Sequence, residues 1–133
     1  MRPAAAAERT VQEAVAAAVP AWYGSAARVL PDVPVHRRAW SVHFLPTVEV
    51  EGRRIPLVAK VPLWEDAPDL TSALAAGPQP GTRAEFEMLR RIEEMVEGDR
   101  RFAAVRAAGY LPEVNALVTE RLPARPLGSA GRE

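Results

Sequence analysis

Apolar residues recur at three- and four-residue spacing over residues 8–23. Val11, Ala14, Val15, Ala18, Val19 and Trp22 form one stripe, which predicts a packing helix that Gly24 and Ser25 end. Residues 27–35 are cut by Pro31 and Pro34 and predict at best an edge strand. His36-Arg37-Arg38-Ala39 follows as a polar, basic turn. The period then changes to two. Val42, Phe44, Val48 and Val50 share one parity within residues 40–51, a strand with a bulge or bend at Pro46. Glu51-Gly52-Arg53-Arg54 suits a hairpin turn, and residues 55–63 return as a second long strand antiparallel to the first.

Residues 64–81 are rich in Pro, Gly, Asp and Ala, and predict a mobile connector with one helical turn near residues 70–75. Residues 82–97 carry the clearest helical pattern. Thr82 suits the N-cap, Glu85 stands three residues on, and Gly98 ends the run. At about 100° per residue, Leu89, Ile92 and Val96 fall within roughly 40° of Glu85. Two roles therefore compete for Glu85: capping-box partner of Thr82, or inward-facing carboxylate on the apolar stripe. Residues 101–110 are ambiguous, because their alanines favour helix while their length and position suit a strand. Residues 111–115 form a turn, residues 116–122 a strand that Pro123 stops, and residues 124–133 show no periodicity.

Composition narrows the class. The 133 residues are 48% hydrophobic and 26% charged, as in an ordinary globular domain, and thirteen prolines favour short, interrupted elements. The formal net charge of zero supplies no global field for nucleic acid or an acidic membrane, so neither is an expected partner. There is no cysteine, which excludes disulfides and thiolate metal sites. The two histidines, His36 and His43, fit no ligand spacing, and no metal site is expected. The N-terminal segment lacks the apolar core of a signal peptide and no run reaches membrane-spanning length, so a cytoplasmic protein is expected.

One residue departs from this composition. Lys60, in Leu57-Val58-Ala59-Lys60-Val61, is the only lysine, and every other basic residue is arginine apart from the histidines. A lysine on a strand can hold a compact point charge over a phosphate, a task for which the planar guanidinium is a poor substitute. It can equally be an edge-strand residue reaching to water.

The order of strand, hairpin, Lys60 strand, Glu85 helix, strand, turn and strand resembles the small lobe of a protein-kinase-like enzyme. There a strand lysine reaches the nucleotide phosphates and a helix glutamate pairs with it. Val58-Ala59-Lys60 looks like the V-A-x-K region. Residues 117–127, LVTERLPARPL, resemble the hinge strand of the aminoglycoside phosphotransferase and choline-kinase-like superfamily, and residues 83–90 resemble its "xxExxxLr" helix. Residues 106–115 look like its fourth strand and following turn, which resolves the ambiguous stretch as a strand. The resemblance spans residues 28–127. It implies an α+β fold: an antiparallel sheet of about five strands, a C-helix-like helix packed on it, and an N-terminal helix. The implied divisions are residues 1–26 as a helical segment, 27–127 as the lobe and 128–133 as a frayed tail.

The resemblance also implies ATP as the ligand. Lys60 would orient the phosphates, Glu85 would hold Lys60, and Val58 or Ala59 would cover the adenine. Thr119 would be the gatekeeper, while the Glu120 carbonyl and the Leu122 amide would read the adenine edge. The phosphate loop falls on residues 36–41, without the glycines common in the family, and leaves Arg37, Arg38 and the Ser41 hydroxyl as phosphate contacts. The family's H-G-D and D-x-D segments are absent from the sequence, so no catalytic residue is assigned and this polypeptide by itself is expected not to transfer phosphate. The expected partners are a nucleotide and either a large-lobe chain or a second copy, held through an exposed apolar face. The alternative is a non-enzymatic α+β interaction module that keeps the lobe's shape. The distance between Lys60 and Glu85 separates the two.

Overall fold

The computed structural model describes residues 3–97 and 106–121. The described residues form an α+β fold with three helices and one antiparallel sheet of seven strand segments. Helix α1 (Pro3–Tyr23) comes first, followed by β1 (Arg28–Val29), β2 (Val35–Arg37), β3 (Ser41–Phe44), β4 (Thr47–Val50) and β5 (Arg53–Pro62). Helices α2 (Leu70–Ala76) and α3 (Pro80–Val96) then precede β6 (Ala107–Leu111) and β7 (Ala116–Glu120).

The seven segments lie along five lines. Phe44 pairs with Ala59 and Thr47 with Pro56, so β3 and β4 continue one register along the same edge of β5. Leu45 and Pro46 interrupt them, where the sequence predicts a bend. The ladder is not broken there, since the Leu57 amide donates to the Pro46 carbonyl at 2.8 Å. Likewise β1 pairs with β4 and β2 with β3, with Pro31 and Pro34 in the gap between β1 and β2. On the other edge of β5 lies β7, and β6 pairs with β7. The β4–β5 turn is Glu51-Gly52, with φ of 52° and 76°. Two consecutive positive φ values match the right-handed twist of the flanking strands, and glycine adopts such a value without strain.

The alternation of β5 divides the sheet. Leu57, Ala59 and Val61 are fully buried in one core with Val42, Phe44, Val48 and Val50, all on the predicted parity. Helix α1 closes that face with Val11, Val15 and Val19 and begins earlier than its stripe predicts, so it shares the sheet's core. The connector after β5 contains α2, capped by a reciprocal pair. The Asp69 carboxylate accepts from the Ser72 amide at 2.8 Å, and the Ser72 hydroxyl accepts from the Asp69 amide at 3.2 Å. That charge-assisted cap holds the Asp69 carboxyl below its ordinary range. Leu70 and Ala73 bury α2 in the same core.

Helix α3 begins at Pro80, not Thr82. Gln79 is its N-cap and proline occupies the first turn, where a missing amide costs no hydrogen bond. Thr82 is buried inside the helix, so the predicted capping box between Thr82 and Glu85 does not form. Strand β6 confirms a strand within the ambiguous region; residues 101–105, and the predicted end at Gly98, lie outside the described residues, as do Leu122 and the tail. Among the described residues no helix is long and apolar enough to cross a membrane.

Helix α1 and β6 meet at Gly109, where the β6–β7 register shifts. A methyl group at Gly109 would overlap the Trp22 indole. Gly109→Ala therefore lowers stability by about 1–3 kcal/mol, the usual cost of overpacking. A double-mutant cycle in urea with Trp22→Ala should show that most of this cost disappears once the indole is gone.

Candidate functional site

The face of β5 opposite the α1 core carries Val58, Lys60 and Pro62, none of them fully buried. The register places His43 directly across from Lys60 on β3, and Leu117 across from it on β7. Thr119 lies across from Val58 and Ser41 from Pro62. Residues paired across antiparallel strands point to the same face. Lys60, Val58, Thr119, Ser41 and His43 therefore share one surface.

Glu85 reaches this surface from α3. Lys60 Nζ donates to both carboxylate oxygens, at 2.9 Å to Oε2 and 3.1 Å to Oε1. The two side chains are 31% and 38% exposed. At such exposure an ion pair contributes about 0.2–1 kcal/mol, too little to be a main support of the fold. Its effect is directional: it fixes the ammonium of a long, flexible side chain at one point on the open face. Since Glu85 does not cap α3, its carboxylate is available for this role.

Asn115 holds α3 at the matching height. It is fully buried in the turn between β6 and β7, with φ of 51°, a left-handed conformation that asparagine tolerates. Its Oδ1 accepts from the Gln79 amide at 3.0 Å and from the Tyr110 hydroxyl at 2.8 Å. The first of these satisfies a donor at the N-terminus of α3. Further along, Phe86 stacks on Tyr110 with ring centroids 6.5 Å apart, and the Glu93 carboxylate accepts from the Ala107 amide at 3.1 Å. The sequence marks Asn115 only as a turn residue, because its two partners are fixed by tertiary structure.

Other expected site residues are distributed differently. Ala59 is fully buried on the α1 side, so it cannot cover a ring on the Lys60 face, and that position falls to Val58. Arg37 pairs with Val42 on the core parity and donates to the Pro68 carbonyl at 3.0 Å, away from Lys60. Arg38 begins a tight turn in which its amide donates to the Ser41 carbonyl at 2.8 Å. The Glu120 carboxylate accepts from the Tyr23 hydroxyl at 2.7 Å and lies 3.6 Å from Arg106. Burial and this carboxylate push the Tyr23 hydroxyl well above the ordinary phenol range, which keeps it a donor. The Glu120 amide donates to the Arg106 carbonyl at 2.8 Å. Leu122 lies outside the described residues.

One recess borders the site, and a second lies on the other side of the sheet. The first, of about 360 Å³, is lined by Pro62, Trp64, Gln79, Thr82 and Glu85. The other, of about 810 Å³, lies among α1, α2 and β2. Its Arg37 and Asp69 already serve a carbonyl and a helix cap. Among the described residues no group of three or more His, Asp or Glu side chains is placed to hold a metal ion.

Asn115→Ala leaves the Gln79 amide and the Tyr110 hydroxyl without their acceptor and lowers stability by about 1–3 kcal/mol. Glu85→Gln lowers it by less than about 1 kcal/mol. Urea unfolding midpoints of the two variants, measured side by side, check this order.

The chain matches no protein-family model, no curated protein and no solved structure.

Proposed function

We propose that this chain is a nucleotide-binding lobe of the kinase-like phosphotransferase kind, with ATP as its ligand. The observation that carries this reading is the two-oxygen contact between Lys60 and Glu85. A strand lysine held by a helix glutamate on an otherwise open sheet face is the arrangement that positions nucleotide phosphates in kinases. The residues on that face fit the ligand. Val58 and Thr119 offer a half-buried platform for a base, while Ser41 and Arg38 lie at the end where Lys60 would meet phosphate. The sequence contains neither H-G-D nor D-x-D, so the role proposed is binding, with transfer to a small-molecule hydroxyl left to groups outside these 133 residues.

A second reading, a non-enzymatic interaction module, is favoured by one observation. Met88, Ile92 and Met95 lie at i, i+4 and i+7 on α3 and are exposed, at 54%, 41% and 77%. Such a row is the apolar face of a helix that docks on a partner, a large-lobe chain or a second copy of this one.

Thermal unfolding with ATP, with and without Mg²⁺, separates the two. At a ligand concentration about one hundred times Kd the wild type gains about 2.7 kcal/mol, a rise of several degrees in Tm. Lys60→Ala should lose most of this rise while keeping its fold. A wild type that ATP does not stabilise under either condition supports the interaction module. In that case Met88→Gln with Met95→Gln should abolish any self-association seen by sedimentation.

A further inference from the structure

The turn between β2 and β3 leaves little backbone with which to hold a phosphate. Arg37 pairs with Val42 and the Arg38 amide bonds the Ser41 carbonyl, so only Ala39 and Trp40 lie in the loop. Neither is glycine, and a two-residue turn presents no row of amides to an anion. Any phosphate beside Lys60 must then be held by side chains. Ser41 and His43 are the polar residues that β3 contributes to the Lys60 face, and the Ser41 hydroxyl lies 3.0 Å from His43 Nε2.

We propose that His43 is a phosphate-binding residue, which with the Ser41 hydroxyl forms a second anchor beside Lys60 for the triphosphate chain of a nucleotide. The ligand named here rests on the nucleotide reading above, but the anchor itself rests on the cross-strand pairing of His43 with Lys60. The chemistry recognised is that of linked phosphates, carried by ATP or by inorganic tripolyphosphate.

The electrostatics agree. His43 faces His36 on β2, Arg38 in the turn, and Lys60 on β5, with Glu85 on α3 as the carboxylate paired to Lys60. Partial burial, then Arg38, Lys60 and His36, hold the His43 imidazole below its ordinary value of 6.5. In the free protein partial burial, with the positive charge of Arg38 and Lys60 beside it, therefore disfavours the protonated ring. A phosphate chain supplies the missing negative charge, and the imidazole then takes up a proton and donates a charge-assisted hydrogen bond.

The sign of the pH dependence follows. A histidine with a lowered folded-state value favours the folded protein above about 6.5, and this contribution is lost as pH falls below it, because the unfolded chain binds the proton more readily. Ligand binding raises the imidazole value, so binding takes up a proton and strengthens as pH falls.

The test is an NMR titration of the imidazole resonances against pH. There are two histidines, and a His36→Gln variant assigns His43. The titration is run on the free protein, with ATP and with inorganic tripolyphosphate, both without metal. The expected result is a His43 midpoint below 6.5 alone, moving upward with either ligand. In parallel, His43→Gln should bind both ligands about tenfold more weakly at pH 6 and nearly as well as wild type at pH 8. The ligand's terminal phosphate also titrates in this range, so the difference between wild type and variant is the quantity read. ATP binding with an unmoved His43 midpoint overturns the inference and leaves the nucleotide reading intact. Tripolyphosphate and ATP binding equally, both moving His43, uphold the anchor and remove the case for a nucleotide. Binding of neither ligand between pH 5.5 and 8 overturns both.

Discussion

Strand β5 is paired along both edges, and its two-residue alternation sets the division of the whole molecule. The residues that point one way, Leu57, Ala59 and Val61, are sealed beneath α1. Those that point the other way, Val58, Lys60 and Pro62, remain in reach of solvent. An ammonium at Lys60 is tolerable only on the second face. Moved by one residue, the register would place it among Val11, Val15 and Phe44, where an unpaired charge costs several kcal/mol. Core and site are thus two faces of one constraint. The burial that fixes the register also fixes where the cation stands.

Much of this was legible. The parity of Val42, Phe44, Val48 and Val50 identifies the core side of β3 and β4, and the α1 stripe identifies the helix that closes it. The relation of His43 to Lys60 was not legible, because the turn expected over residues 51–54 pairs Val50 with Ile55 and puts His43 opposite Pro62. The two-residue turn formed at Glu51-Gly52 pairs Val50 with Arg53, and counting outward brings His43 opposite Lys60. The same counting separates Val58 from Ala59. Seen only as ligands at intervals, the histidines carry no signal; folded over the hairpin, one of them does.

Other features were not legible from local pattern. Thr82 has the chemistry of an N-cap, but Pro80 already fits the first turn of a helix and lets α3 begin earlier, around Thr82 as an interior residue. Asn115 could be read as a turn former and nothing more, since Tyr110 reaches it only across the closed β6–β7 turn and Gln79 only where α3 packs on β6 and β7. The resemblance assigns Glu120 a backbone role, whereas its side chain serves α1 through Tyr23. In each case a residue of ordinary local type acquires its role from a partner distant in sequence, or from a neighbour that fits the first turn better.

Asn115 has a geometric consequence for α3. It grips the helix at Gln79, while Met88, Ile92 and Met95 face solvent. Glu85 stands six residues from that grip and Met95 sixteen, about 9 Å and 24 Å along the axis at 1.5 Å per residue. The helix is held again at Glu93, whose carboxylate accepts from the Ala107 amide, so the Glu85 carboxylate sits between two fixed points. The position of the lysine's partner is thereby tied to the two ends of this span and not to Met95, which lies beyond it.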